Sequence, residues 1–395
     1  MTEMFDREKI INCMFDPVTS SLLAELEDGE KSCSFLAQKI SIPESEVLQR
    51  LSYLIEHNFV IKNPNNEKCI LTANSEKLSS IRITLIVDMN NPIFIIAEAG
   101  VNHNGNPDLA FQLVDVALEA GADAIKLQTY TADTITFKSD KKDFLIPKSS
   151  PWFDYKTLWN LYNKAHTPWE WHKKIFNEAK SLKLEIFSTP FDEFAVEFLE
   201  KLNCPAYKIA SSEINHVPLL EKVAKTKKPI ILSTGLSELT DLTLAVNVLR
   251  DNGCKKIIIL KCVSTYPAPL DEQNLRTIAD IKKKFKVISG LSDHTLDSLA
   301  ATTSVALGAS VIEKHFNLHD KNLTVDSFFS ANEISFKKMV EKIRLVEESL
   351  GKIKYNISKS SKVNLNGRRS IYVVKKINKG ELITNKNIKV LRPGF

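Results

Sequence analysis

The chain has 395 residues, enough for two or three domains. Its 43% apolar and 26% charged residues are ordinary for a globular protein and exclude disordered and fibrous classes. No apolar run approaches the ~18–20 residues that a membrane span needs. The opening MTEMFDREKI lacks the charged-then-apolar layout of a secretion signal, so a cytoplasmic protein with no membrane partner is expected. Six cysteines (Cys13, Cys33, Cys69, Cys204, Cys254, Cys262) show no C-x-x-C spacing, which argues for reduced thiols over a disulfide frame or a zinc knuckle. A net charge of +5 implies no nucleic-acid partner by itself.

Residues 1–85 differ from the rest. They hold nine basic and thirteen acidic residues, a net of −4, which leaves about +9 for the remainder. Apolar spacing is helical through SSLLAEL, SFLAQKI and SEVLQRLSYLIEH. Ser41 to Glu44 reads as a capping box entering the third helix. FVIKNPNNEKCILT then reads as two strands around a Pro-Asn-Asn turn. Three helices and a hairpin predict a winged-helix-like domain over 1–85, with a linker at 86–92. Such a domain could read DNA through its third helix, or serve docking or dimerisation. That helix carries Glu44, Glu46 and Glu56 against Arg50, whereas DNA binding needs a cationic face.

From Ile93 short β-rich runs alternate with amphipathic helical stretches: FIIAE, AIKLQ, EIFST, AYKIA, PIILS, KIIILK, KVISGL and SVIEK. Gly121 and Gly253 sit where helices should stop. Eight strand–helix units predict an α/β (β/α)8 TIM barrel over 93–352, with an elaborated loop at 130–167 after the second strand.

Every predicted strand ends in side chains capable of chemistry. The first gives Glu98, Asn102 and His103; the second Lys126 and Gln128; the third Ser188 and Thr189. The fourth gives Lys208, Ser211, Ser212 and Glu213; the fifth Ser233 and Thr234; the sixth Lys261, Ser264 and Tyr266. The seventh gives Ser292, Asp293 and His294, and the eighth Glu313, Lys314 and His315. In a barrel these tips converge on one mouth, where such enzymes keep their active sites. Polar loops explain the serines and threonines equally well. They do not explain Glu98, Lys126 and Lys208, which lie within apolar strands where an uncompensated charge is costly. Two lysines among hydroxyls point to a phosphate or carboxylate ligand. His294 and His315, on adjacent strands near acids, suit a divalent transition metal such as Mn²⁺. The residues alone give a metal-assisted reaction on an anionic substrate.

The motifs FIIAEAGVNHNG, AGADAIKLQTY, FSTPFD, YKIASSE, PIILSTG, GLSDHT and VIEKHF, in this order, resemble the nonulosonic (sialic) acid synthase family across 93–395. RRSIYVVKKINKGELITNKNIKVLRPG resembles that family's antifreeze-like (SAF) domain, here a partial module at 366–395. The loop KKDFLIPKSSPWFDYKTLWNLYNKAHTPWEWHKKIF and the motif KCVSTYP resemble the pseudaminic acid synthases of the family, while AEAGVNHNG is nearer to its sialate synthases.

The resemblance implies condensation of phosphoenolpyruvate with an open-chain acetamido sugar, release of phosphate, and a divalent metal (Mn²⁺, with Mg²⁺ or Co²⁺ as substitutes). It implies that Lys126, Gln128, Thr189, Lys208, Ser211, Ser233 and Ser292 hold phosphoenolpyruvate, and that His294 and His315 hold the metal. Glu98 and Glu213 would be catalytic, and Ser264, Tyr266 and Asp326 would line the substrate site. Arg392, in the RPG motif, would reach the sugar of a partner in a domain-swapped homodimer. The sugar expected is a 2,4-diacetamido-2,4,6-trideoxyhexose, giving pseudaminic acid. One alternative is N-acetylmannosamine, giving N-acetylneuraminate. Another is a winged-helix DNA-binding regulator whose barrel senses a sugar without turning it over; the full set of charged tips argues against it.

Overall fold

The structure, a computed structural model, describes residues 13–14, 16–63, 69–74, 78, 92–318 and 324–394. It divides into two compact units, 1–349 and 350–395.

The first unit opens with helices Pro17–Glu27, Cys33–Ile40 and Glu44–Glu56. Asp16 caps the first by accepting a bond from the Thr19 amide (2.9 Å). The three helices bury a stripe at helical spacing that includes Leu22, Leu26, Leu36, Val47, Leu51 and Leu54. Strands Val60–Lys62 and Lys31–Ser32 both pair antiparallel with Ile70–Ala73. The expected capping box at Ser41 is not formed. Ser41 instead closes the preceding helix in a left-handed conformation (φ 60°), and Pro43 occupies the N-cap of the next without a side-chain bond. With only Ile42 between these two caps, the chain cannot spend Ser41 on the following helix. The turn expected at 64–66 and the linker at 86–92, apart from Pro92, lie outside the described residues.

Eight parallel strands follow, numbered here β1 (Phe94–Glu98), β2 (Ala124–Thr129), β3 (Glu185–Pro190), β4 (Tyr207–Ile209), β5 (Ile230–Ser233), β6 (Ile257–Cys262), β7 (Ile288–Asp293) and β8 (Val311–Asn317). Each pairs with the next, and β8 returns to β1, closing the barrel. Gly121 and Gly253 end helices Pro107–Glu119 and Leu239–Asp251 with φ of +85° and +93°, a conformation glycine adopts without a Cβ penalty. The pleat sends alternate residues inward, so Ile96, Ala124, Ile231, Ile258 and Val311 fill the lower layers and are buried. Gly290 lies so close to β8 that a Cβ there would stand 2.1 Å from the Val311 carbonyl oxygen.

The second unit holds a 3₁₀ segment, Ser360–Gly367, and a hairpin pairing Ser370–Val373 with Ile388–Leu391. Residues Thr384–Asn387 form a turn. Asn387 accepts the Thr384 amide through Oδ1 (2.8 Å), and its own amide returns to the Thr384 carbonyl (3.0 Å), delivering the chain into the second strand.

Candidate active site

Register assembles the site before any side chain is considered. Glu98 on β1 stands beside Lys126 on β2 and beside His315 on β8. Gln128 stands beside Thr189, Cys262 beside Ser292, and Ser292 beside Glu313. These inward positions form the top layers of the barrel, above the apolar ones.

Lys126 contacts the Glu98 carboxylate and donates to Thr189 Oγ1 at 3.0 Å. Lys208 Nζ lies 2.8 Å from Glu313 Oε1, which also accepts from Ser292 Oγ at 3.0 Å. The second Glu313 oxygen is 3.9 Å from Lys126. Two ammoniums and two carboxylates are thus interleaved, all of them buried. Burial drives the Lys126 ammonium down to about 7 against the attraction of Glu313. Burial also penalises the Glu313 carboxylate, but Lys126, Lys208 and the bonds from Lys208 and Ser292 overcome it and hold Glu313 ionised. An arriving anion would restore Lys126 to full charge, because it adds the counter-charge that burial denies.

The layer opens into a cavity of about 540 Å³, a size suited to two small metabolites. Thr189, Ser211, Ser233, Ser292, Glu213, Tyr266 and Asp326 line it with the charged groups. The hydroxyl of Ser233 is buried without a hydrogen-bond partner, as is that of Ser264. Ser264 lies under the rim, packed toward Gly235. A Cβ on Gly235 would stand 2.1 Å from Ser264 Oγ and 2.9 Å from Ser211 Oγ, and the Gly235 amide donates to Ser211 Oγ at 2.9 Å. Burial raises Glu213 to about 7 despite a bond from Ser212, so this carboxyl can give or take a proton near neutrality.

The two imidazoles face each other with ring centroids 5.3 Å apart. His294 Nδ1 donates to the Val263 carbonyl (2.8 Å), which leaves Nε2 as its free lone pair. His315 Nδ1 is buried without a hydrogen-bond partner, 3.4 Å from Asp326 Oδ2. Burial favours its neutral form. Among the described residues no cluster of three His, Cys, Asp or Glu forms. His294 and His315 supply two nitrogen donors, so a divalent cation held there would need substrate oxygens or water to complete its shell.

Besides Ser264, seven of the expected strand tips do not line the cavity, Thr234 after β5 among them. Period-2 alternation turns Ser188, Asp293 and Lys314 to the helix side of the strands. Ser188 bonds Thr129 (2.7 Å), and Lys314 pairs with Asp293 (2.7 Å). Lys261 alternates with Cys262 in the same way and donates to a backbone carbonyl (2.8 Å). Asn102 and His103 lie beyond β1 and fasten loops. Asn102 donates to the Phe316 carbonyl (2.7 Å), and His103 pairs with Thr167 (3.0 Å). Arg392 is exposed in the second unit.

Sequence reasoning placed Glu313 at a strand tip but gave it no role. The signal was present: Glu313 is two residues before His315, hence on the same face, and two inward lysines require a counter-charge. Cys262 was also passed over. Its buried sulfur lies 3.7 Å from His294 Nδ1.

The family model described as "NeuB family" matches residues 113–355. The pseudaminic acid synthase of Campylobacter jejuni is 43% identical over 303 residues, 77% of this chain and 88% of that one. The pseudaminic acid synthase of Helicobacter pylori is 44% identical over 308 residues, 78% of this chain and 90% of that one. Among solved structures, the N-acetylneuraminic acid synthetase of Leptospira borgpetersenii superposes with a TM-score of 0.62 at 30% identity, covering 71% of this chain and 92% of that one. The barrel, its charged mouth and these relatives agree: the chain belongs to the NeuB family of sialic acid synthase-type enzymes.

Proposed function

We propose that the protein condenses phosphoenolpyruvate with an open-chain 2,4-diacetamido-2,4,6-trideoxyhexose, yielding pseudaminic acid and phosphate. The observation that carries this is the floor of the cavity, where Lys126 and Lys208 share Glu313 beneath a hydroxyl left without a partner. Such a floor has charge and donors in store for a small dianion. The substrate reading is supported by relatives named pseudaminic acid synthase at 43–44% identity.

Lys126, Lys208, Gln128, Thr189, Ser211, Ser233 and Ser292 orient the phosphate and carboxylate, and Ser264 supports them from beneath. Tyr266 and Asp326 face the sugar. The enol carbon attacks the aldehyde carbon, forming the new carbon–carbon bond. Positive charge develops at the adjacent carbon, and Glu98 stabilises it. Glu213, poised near 7, protonates the aldehyde oxygen as it becomes a hydroxyl. Water then adds at the cationic carbon, losing its proton to a carboxylate. The remaining hydroxyl on that carbon gives its proton to the leaving phosphate, its O–H electrons close the keto group, and the carbon–oxygen bond to phosphate breaks with both electrons going to phosphate. His294 and His315 would hold a divalent cation, Mn²⁺ with Mg²⁺ or Co²⁺ as substitutes, whose chemistry is Lewis-acid polarisation of the aldehyde.

Within the same reading, residues 366–395 are an antifreeze-like module whose Arg392 serves the sugar site of a partner in a homodimer. Residues 1–85 are a winged-helix-like module for docking or dimerisation rather than DNA binding. Arg50, the single base of helix Glu44–Glu56, is spent on Asp16 and Glu46 at 2.9 Å each.

The test is phosphate release from purified protein given phosphoenolpyruvate, Mn²⁺ and either the diacetamido sugar or N-acetylmannosamine. The diacetamido sugar should be turned over with the higher kcat/KM. Preference for N-acetylmannosamine would replace the pseudaminate reading with a neuraminate one.

A further inference from the structure

The cavity has two chemically distinct faces. Its floor is the charged layer of the barrel. One wall comes from the long segment between β2 and β3, which presents Ile135, Ile146, Trp152, Leu158 and Leu161 to the cavity. This wall is held from behind. Ile146 and Leu161 pack with Val101 and Val325, and Trp152 stands edge-on to Tyr266 at 5.7 Å. The Trp152 indole N–H is already committed to the Val325 carbonyl at 2.9 Å. The segment 135–165 therefore offers the cavity no charged group and no amide side chain. The polar side-chain groups it lines the cavity with, besides the committed indole N–H, are the hydroxyls of Tyr162 and of Ser150, whose oxygen accepts the Trp152 amide at 3.3 Å.

We infer that this apolar wall selects the sugar by reading methyl groups where common hexosamines carry hydroxyls. This rests on the condensation proposed above. A hexose deoxygenated at carbon 6 lays a methyl group against the wall. N-acetylmannosamine instead turns its carbon-6 hydroxyl toward side chains that cannot bond it. A buried hydroxyl stripped of water without a new partner weakens binding. An apolar pocket discriminates against an added hydroxyl by about 10²-fold, which sets the scale of the preference. Leu158 and Ile135 are the informative positions, because both are half-buried and face the cavity. Leu158 also opens its helix just after the Thr157 cap.

The test uses Leu158→Asn and Ile135→Asn in the full-length protein. Each variant gives the wall an amide. The kcat/KM ratio of the diacetamido sugar over N-acetylmannosamine should fall about tenfold in at least one variant, with the KM for phosphoenolpyruvate unmoved. Calorimetric binding of the alditols of the two sugars, which are open-chain and cannot condense, should show the same compression of the Kd ratio. Unchanged ratios in both variants, with thermal transitions like those of the parent, would overturn the inference. If the parent turns over neither sugar, the proposed reaction fails, and the alditol ratio still judges the wall: a parent that binds both equally refutes it.

Discussion

Strand β8 places one member of a buried ion pair on each of its two faces, Lys314 with Asp293 of β7 and Glu313 with Lys208 of β4, and the pairs are built differently. On the helix side, Asp293 accepts the Thr295 amide (2.9 Å) and hydroxyl (2.8 Å) on one oxygen and Lys314 on the other (2.7 Å). Lys314 also donates to the Thr295 carbonyl at 2.5 Å. On the barrel side, Lys208 and Ser292 serve one oxygen of Glu313, while the other has no hydrogen bond and only a distant lysine at 3.9 Å. Nearby, Ser233 Oγ has no hydrogen-bond partner either. Both faces bear the cost of burying charge. Only one keeps bonding capacity in reserve, and that face opens on the cavity. A closed polar network fixes structure, whereas an open one waits for a ligand.

Breaking the open network should affect chemistry most. Lys208→Met removes an anchor for the anion and leaves Glu313 without its nearest counter-charge. We expect kcat/KM for phosphoenolpyruvate to fall by about 10³-fold or more, roughly 4 kcal/mol of transition-state stabilisation. Steady-state kinetics checks this, and values within tenfold of the parent would remove Lys208 from the site. Breaking the closed network should affect folding instead. Lys314→Met strands Asp293 in the interior and should cost about 3–4 kcal/mol in denaturant unfolding. The pair Asp293→Leu with Lys314→Met should recover most of that loss, because it removes both charges together. If Lys314→Met left stability intact, the pair would not be the structural clamp described here.

This contrast explains what could be read from the sequence. The barrel was legible because each strand is a short apolar run and each helix repeats at 3.6 residues. Glu98, Lys126 and Lys208 were legible because charge inside such a run has no cheap explanation. The face of each tip was harder. Asp293 and Ser292 are neighbours in sequence, yet one turns to the helices and the other to the cavity. Only the strand register, fixed by pairs such as Ser292 with Glu313, decides which. The apolar wall was out of reach, since Ile146 and Leu161 meet Val325 from segments more than 150 residues away. Ser41 shows the local version of the same limit: its capping pattern suits the next helix, but closing the previous one claimed it.

The smallest effect concerns closed polar contacts that titrate. His103 is buried with both ring nitrogens committed. Nδ1 accepts from the Gly105 amide at 3.1 Å, so Nε2 carries the proton toward Thr167 (3.0 Å). Charging the ring would set a second N–H against the Gly105 N–H, which cannot turn away. Burial first, then His166, His172 and Lys164, hold its pKa down at about 4. An unfolded histidine titrates near ~6.5, so between these values the unfolded chain binds the extra proton. The contribution of His103 to stability is therefore complete above pH ~6.5 and is lost as pH falls toward about 4. It is worth up to about 3 kcal/mol over that window. Unfolding measured between pH 7 and 5, above the range where most carboxylates titrate, should show stability declining with acid. His103→Gln should make that slope shallower, because glutamine keeps a donor and an acceptor but takes up no proton; part of the slope remains with His172, whose pKa burial also lowers to about 4. An unchanged slope in that variant would mean that His103 titrates as freely in the folded protein as in the unfolded one.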